Sequence, residues 1–205
     1  SLITAIQWFP ETPNQGGVIH FVVRTVGSGT TVHGRFLGHD LPFFTVHSDR
    51  DEYHALDGVD YSQEPGTYEL GITVRTEGDR EERQTVRITV KGKRFSEEHL
   101  TLPDEMVILS PENERRVSEE QQRISRICAT VSPERLWKGA FVIPLNGKLG
   151  SSFGMRRFIN QLPRSPHTGQ DIRAPEGSPV VASNRGKVVL VGDFFFGGES
   201  VFIDH

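Results

Sequence analysis

Cysteine is nearly absent from this sequence of 205 residues, in which Cys128 stands alone. A single cysteine forms no internal disulfide, and it excludes the zinc and redox scaffolds that are built from several cysteines. No run of about 18 apolar residues is present, so the sequence predicts no transmembrane segment. The formal net charge of −4 comes with no dominant basic stretch, which argues against nucleic acid as a partner. These absences leave a globular chain of one large domain or two small ones.

Glycine and proline are frequent, with 21 and 12 residues, and this composition favours turns and short strands. Within residues 1–92, apolar and polar residues alternate along 68–74 and 86–90, and a Gly-Asp turn at 78–79 separates the two segments. Period-2 alternation buries one face of a strand, so the pattern predicts a β-hairpin. The turn at 65–68 resembles the one that leads into a late strand of bacterial immunoglobulin-like domains. We therefore expect residues 1–92 to form an immunoglobulin-like β-sandwich.

One helix is predicted at about 111–131, inside a linker that spans residues 93–138. Ser110 is a suitable N-cap, and Pro111 fits the first helical position. Apolar residues recur at helical spacing and form one stripe: Val117, Ile124, Ile127, Cys128 and Val131. The stripe predicts that the helix packs against a neighbouring domain and that Cys128 is buried.

Residues 139–205 carry short apolar runs that are separated by glycine and proline. The runs lie at 141–143, 179–182, 187–191 and 200–203. Their spacing predicts antiparallel β structure rather than a βαβ arrangement. The fold class expected for the whole chain is therefore mostly β, with one helix between two β-rich regions.

His167 and Asp171 have the strongest claim to chemistry. Proline and glycine around them disfavour a helix, so we expect a turn that runs into a strand to bring the two side chains together. An imidazole nitrogen and a carboxylate oxygen are good zinc ligands, and a catalytic zinc needs three protein ligands and an open position. An H-x-x-x-D pair is common by chance, and a surface His–Asp hydrogen bond is the alternative interpretation.

Further motifs accompany this pair along the chain. They are P-L-N-G at 144–147, S-S-F-G-M-R-R at 151–157, H-T-G-Q-D at 167–171, A-P-E-G-S-P-V at 174–180 and G-K-V at 186–188. In this order and spacing, from about Phe141 to His205, the motifs resemble the LytM-type (M23) zinc metallopeptidases, which cleave peptide bonds in peptidoglycan. The resemblance implies that residues 139–205 are the N-terminal part of an M23-like peptidase domain.

The resemblance also implies a site and a function. His167 and Asp171 would be two of three ligands to one Zn²⁺, and the protein would be a zinc endopeptidase that hydrolyses peptidoglycan peptide in the periplasm or cell envelope. The third ligand and the acid/base histidines are expected beyond His205, so His205 is interpreted as a strand-end residue and no catalytic residue is assigned within the chain. The chain alone is expected to be inactive.

Two features of the expected whole protein follow. The first ten residues lack the basic start and the small-residue cleavage site of a signal peptide, so we expect a leader to precede them. The apolar stripe at 111–131 also raises the hypothesis of an autoinhibitory contact, in which a segment before the peptidase domain covers the zinc.

Two other functions stay open at this point. A LytM-like protein without catalytic activity would regulate other cell-wall hydrolases, and the sequence beyond His205 would distinguish it by the absence of an H-x-H motif. A structural or adhesive envelope protein would lack stoichiometric zinc.

Other residues have weaker claims to a role. Arg156 and Arg157 would bind an acidic substrate group or, more commonly, form structural ion pairs. The Phe194-Phe195-Phe196 run would line a groove or pack around a turn.

Overall fold

The computed structural model describes residues 1–27, 29–46, 51–103, 108–132 and 134–205. These residues form two compact units, Ser1–Phe95 and Ser96–His205. The chain is mostly β, as expected, and its paired strands are antiparallel apart from one parallel pair. Among the described residues, no helix is both long and apolar enough to cross a membrane.

The first unit consists of two sheets that share one core. Its strands are β1 (Ile3–Phe9), β2 (Val18–Thr25), β3 (Thr30–Phe36), β4 (His39–Leu41), β5 (Glu52–Gly58), β6 (Gly66–Thr76) and β7 (Glu81–Val90). The sheet orders are β1-β2-β5 and β4-β3-β6-β7. Phe21 from the first sheet meets Phe36 from the second edge-to-face, with ring centroids 5.6 Å apart. The immunoglobulin-like type of this unit stays a prediction.

The alternation seen in the sequence explains how β6 and β7 fold. Leu70, Ile72 and Val74 are buried on one face of β6, and the intervening residues are more exposed. The two strands pair from Gly66–Val90 to Arg75–Glu81. Asp79 adopts a positive φ of 56° in the turn between them, a conformation that short polar residues tolerate better than others.

The second unit contains several small sheets and one helix. Its elements are β8 (Glu97–Leu100), α1 (Pro111–Cys128), β9 (Lys148–Leu149), β10 (Arg156–Ile159), β11 (Leu162–Pro163), β12 (Ile172–Arg173), β13 (Lys187–Phe194) and β14 (Gly198–Asp204). The sheet orders are β11-β10-β8, β12-β9 and β13-β14. The apolar runs at 141–143 and 179–182 are not strands, although Val142 N–H donates to Ser183 O and Val181 N–H donates to Pro144 O.

Strand β8 lies within the segment expected to be a linker. It pairs in parallel with β10, from Glu97–Arg156 to Leu100–Ile159. The ring of His99 stacks on Phe158 with centroids 4.7 Å apart. The polar sequence of β8 has no apolar alternation, so it does not predict a strand. The strand forms because β8 pairs with β10.

Helix α1 begins where the sequence predicts. The Ser110 hydroxyl accepts a hydrogen bond from Asn113 N–H, and Pro111 occupies the first turn. The expected end near residue 131 is wrong, because the helix ends at Cys128. The Thr130 hydroxyl donates to Arg126 O and Thr130 N–H donates to Ile127 O, so these bonds satisfy carbonyls of the last turn.

The expected burial of Cys128 is also wrong, since its side chain is exposed. Val117, Ile124 and Ile127 are partly buried. Cys128 lies on the same stripe as these three residues, but it is the last residue of the helix.

A carboxylate docks α1 onto the β13–β14 hairpin. Glu120 Oε2 accepts the Phe195 N–H at 2.8 Å, and Glu120 Oε1 pairs with Arg116 Nε at 2.7 Å. Arg116 also donates to Asp193 O at 3.2 Å. The Phe195 N–H, followed by Arg116, lowers the pKa of Glu120 below its usual value. The docked helix is therefore stabilised by the ionised form of Glu120.

We expect Glu120→Gln to loosen this contact. Because the folded pKa is lowered, the carboxylate contributes above its unfolded pKa of about 4.3 and loses that contribution as pH falls through the folded value. Hydrogen exchange should show a several-fold loss of protection at the Phe195 amide and along α1 at pH 6 in the variant. Wild type should lose the same protection only on acidification. Glu119→Gln, on the same helix, is the control, and equal protection in both variants would contradict the docking role.

A core substitution tests the two-sheet packing of the first unit. Phe21 is 0% exposed, so Phe21→Ala should lower the free energy of unfolding by about 3–5 kcal/mol. Leu56→Ala, at a site 43% exposed on β5, should cost about 0.5 kcal/mol or less. Denaturant unfolding followed by Trp8 fluorescence in a Trp137→Phe background measures both. Similar losses in the two variants would count against the described core.

Candidate metal site

The structure brings His167 and Asp171 together, as the sequence predicts. His167 Nε2 lies 3.0 Å from Asp171 Oδ1, and the side chains are 21% and 53% exposed. The segment between them is not helical, and β12 begins directly after Asp171. A turn into a strand therefore produces the contact.

Backbone hydrogen bonds fix both residues against the segment 150–155. At one end, Gly154 N–H donates to His167 O at 2.7 Å and His167 N–H donates to Met155 O at 2.9 Å. At the other end, Gly150 N–H donates to Asp171 O and Asp171 N–H donates to Ser151 O, both at 2.9 Å. We call these four bonds the double exchange. The β9–β12 pairing continues it from Leu149 and Ile172.

Two glycines allow the segment 150–155 to lie close to His167 and Asp171. Gly154 is buried and has a φ of 82°, a left-handed conformation that favours glycine. A Cβ at Gly150 would lie 3.2 Å from Asp171 Cβ, so a larger residue there would press on the ligand side chain. The two glycines therefore leave room for the backbone bonds that hold His167 and Asp171.

The imidazole of His167 has a defined orientation. Its Nδ1 lies 3.2 Å from Ser152 O. A carbonyl oxygen only accepts, so Nδ1 must carry a proton and donate it. Nε2 therefore faces Asp171, either as a second donor in a protonated ring or with a free lone pair.

The pair fits a zinc ion as two of its ligands. Ligand bonds of about 2.0–2.1 Å at a tetrahedral angle separate neighbouring donor atoms by about 3.3 Å, close to the 3.0 Å between Nε2 and Oδ1. Zinc-binding histidines usually donate their other ring N–H to a carbonyl or carboxylate, as His167 does to Ser152. Within the described ranges, no three His, Cys, Asp or Glu side chains come together as a metal site, so a third ligand is not shown.

No protein-family model matches the chain, and no curated protein matches it either. Among solved structures, it is similar to a crystal structure from the New York Structural Genomics Consortium, described as a putative peptidase M23 from Pseudomonas aeruginosa. The two are 27% identical, with a TM-score of 0.65 over 95% of this chain and 69% of the other. The resemblance to the M23 family is confirmed. The similarity indicates a peptidase.

The motifs that carry the M23 resemblance contact each other in the fold. The segment at 151–157 supplies the carbonyl that orients His167 and the backbone groups that bind both candidate ligands. A residue that the sequence did not single out, Gln170, joins them through its side chain. Nothing in its spacing or type marked it, because its role depends on the fold of the neighbouring loop.

The weaker candidates have structural contacts. His205 Nδ1 donates to Arg185 O at 2.9 Å, and its ring meets Phe141 edge-to-face. Arg156 and Arg157 form ion pairs with Glu97 and Glu98 at 3.1 and 2.8 Å.

The three phenylalanines have different surroundings. Phe194 is buried against Phe202 with centroids 5.7 Å apart, and Phe195 contacts Arg116. Phe196 is 73% exposed. The run therefore packs around the β13–β14 turn through its first two members.

A substitution at Gly147 tests how closely the backbone before β9 must approach β12, the strand that follows Asp171. A Cβ there would overlap the carbonyl oxygen of Arg173 and lie 2.8 Å from Ile172 Cγ2. We expect Gly147→Ala to destabilise the second unit by roughly 1–3 kcal/mol. Gly169→Ala, where a Cβ meets nothing within 4 Å, should change stability by about 0.5 kcal/mol or less. Unfolding followed by Trp137 fluorescence in a Trp8→Phe background compares them, and a harmless Gly147→Ala would contradict the close approach.

Proposed function

We propose that this chain belongs to a zinc-dependent endopeptidase that hydrolyses peptide bonds of peptidoglycan. The observation that carries the proposal is the contact between His167 Nε2 and Asp171 Oδ1 at 3.0 Å, with Nδ1 bonded to Ser152 O. It occurs in a chain with 27% identity to a putative M23 peptidase across 95% of its length. An imidazole nitrogen and a carboxylate oxygen are typical ligands of a catalytic zinc ion.

Each residue has a role in this proposal. A bound zinc ion would polarise the scissile carbonyl and lower the pKa of a water molecule. His167 holds the metal through Nε2, and the Ser152 carbonyl keeps its ring in that orientation. Asp171 holds it through Oδ1 and stays accessible to substrate, because the side chain is 53% exposed. Within the described ranges, the third ligand and the groups that transfer protons are not assigned.

The substrate defines the compartment. Peptidoglycan peptides lie outside the cytoplasm, so we propose that the protein acts in the periplasm or at the cell envelope. The peptide stem or cross-link would be the partner.

A second candidate is a regulator that binds other cell-wall hydrolases without cleaving peptide bonds. The contact between His167 and Asp171, both intact here, argues against this candidate.

Zinc analysis of the full-length protein tests the proposal. We expect one zinc per chain in wild type. His167→Ala and Asp171→Ala should each lose most of it, because a three-ligand site that has lost one ligand binds zinc weakly. His33→Ala, an exposed histidine of the first unit, is the matched control and should retain zinc. Cleavage of purified peptidoglycan should stop with a chelator and resume with added zinc.

Three results would overturn parts of this proposal. Zinc-free wild type would refute the metal site, and equal zinc in wild type and both ligand variants would remove His167 and Asp171 from it. Stoichiometric zinc without any cleavage would favour the regulator.

A further inference from the structure

The side chain of Gln170 lies over the double exchange and contacts three carbonyl oxygens. Its Nε2 is 2.9 Å from Asp171 O, 3.1 Å from Ser151 O and 3.4 Å from Gly150 O. Carbonyl oxygens only accept hydrogen bonds, so the amide nitrogen, and not the amide oxygen, must face them. The two N–H groups of this amide are shared among the three acceptors.

Two of these acceptors already take part in the double exchange. Asp171 O accepts Gly150 N–H, and Ser151 O accepts Asp171 N–H. A carbonyl oxygen has two lone pairs, so the Gln170 amide takes the second position on each. The side chain therefore links the backbone of a candidate ligand to the segment that supports it, on the side where Gly150 lies close to Asp171 Cβ.

We propose that Gln170 is a positioning residue for the zinc site, and this inference rests on the proposed function. Gln170 holds the loop at 150–151 against Asp171, so that Oδ1 stays 3.0 Å from His167 Nε2. Without its amide, the loop and the carboxylate move more freely relative to the imidazole. Zinc then binds less tightly, although both ligands are present.

A purely structural role predicts a different result. Gln170 is exposed, and an exposed neutral hydrogen bond contributes little to stability because water replaces it at low cost. Metal affinity, by contrast, depends on residues that orient the ligands, and their loss typically weakens binding by about 10–100-fold. Positioning therefore affects zinc affinity and leaves the stability of the metal-free protein nearly unchanged.

Two substitutions at Gln170 separate the effect of its hydrogen bonds on zinc binding from the effect of charge. Gln170→Met keeps the length of the side chain and removes the donor. Gln170→Glu keeps its shape, replaces the donor by an acceptor and adds a negative charge, which by itself would attract zinc. Positioning predicts weaker binding in both variants, whereas charge alone predicts tighter binding in Gln170→Glu.

The experiment measures zinc affinity of the full-length protein by competition with a chromophoric chelator. We expect Gln170→Met and Gln170→Glu to bind zinc at least tenfold more weakly than wild type, with the melting temperature of the metal-free protein unchanged. The visible spectrum of the Co²⁺-substituted protein should change in both, because it reports ligand geometry. Gln121→Met and Gln121→Glu, on α1, are matched controls and should behave as wild type.

The outcomes distinguish this inference from the proposed function. Wild type that binds no zinc overturns both. Wild type that binds zinc, with wild-type affinity in both Gln170 variants, overturns the positioning role and leaves the zinc site standing. Tighter binding in Gln170→Glu alone, or a loss of affinity that parallels a loss of metal-free stability, also overturns the positioning role.

Discussion

The double exchange between the segment 150–155 and the residues His167 and Asp171 is the constraint on which the candidate site depends. The strands β9 and β12 that flank this exchange have two residues each. Four backbone hydrogen bonds between 2.7 and 2.9 Å therefore set the relative positions of the two side chains. Side-chain identity decides the chemistry, but the backbone decides that an imidazole and a carboxylate meet.

The double exchange continues into strand β10, which follows Met155 in the chain. Met155, which accepts the His167 N–H, directly precedes β10. β10 in turn pairs with β8, and the ion pairs of Arg156 and Arg157 connect the two strands. Exposed ion pairs of this kind stabilise by about 1 kcal/mol or less. We interpret these ion pairs as fixing the register of β8 against β10. Through this pairing, the segment before α1 contacts the strand that begins next to Met155.

The features that the sequence predicted well are those whose signal is local. The alternation along 68–74 and 86–90 reflects burial of one strand face, and β6 and β7 occupy those segments. Ser110 and Pro111 act within one turn, so the start of α1 could be predicted. The meeting of His167 with Asp171 followed from a turn between residues four apart.

The features that the sequence did not predict depend on partners far along the chain. β8 has no apolar alternation and is a strand because β10 pairs with it. Cys128 lies on the apolar stripe, but it is the last residue of α1 and its thiol is exposed. Gln170 carries no recognisable pattern, because two of its three acceptors, Gly150 O and Ser151 O, lie in a loop some 20 residues earlier. For β8 and Gln170, a tertiary contact outweighed the local preference.

The 3.0 Å contact between His167 and Asp171 fits both a metal site and a surface ion pair, and the surrounding structure bears on the choice. With side chains 21% and 53% exposed, an ion pair would contribute at most about 1 kcal/mol, and the fold would tolerate its loss. Zinc affinity depends much more steeply on where the two donor atoms lie. Ser152 O lies 3.2 Å from Nδ1, a Cβ at Gly150 would lie 3.2 Å from Asp171 Cβ, and the Gln170 amide contacts Ser151 O at 3.1 Å. In the proposed function, this restriction of the two donors serves metal binding, and a surface ion pair of this exposure would not require it.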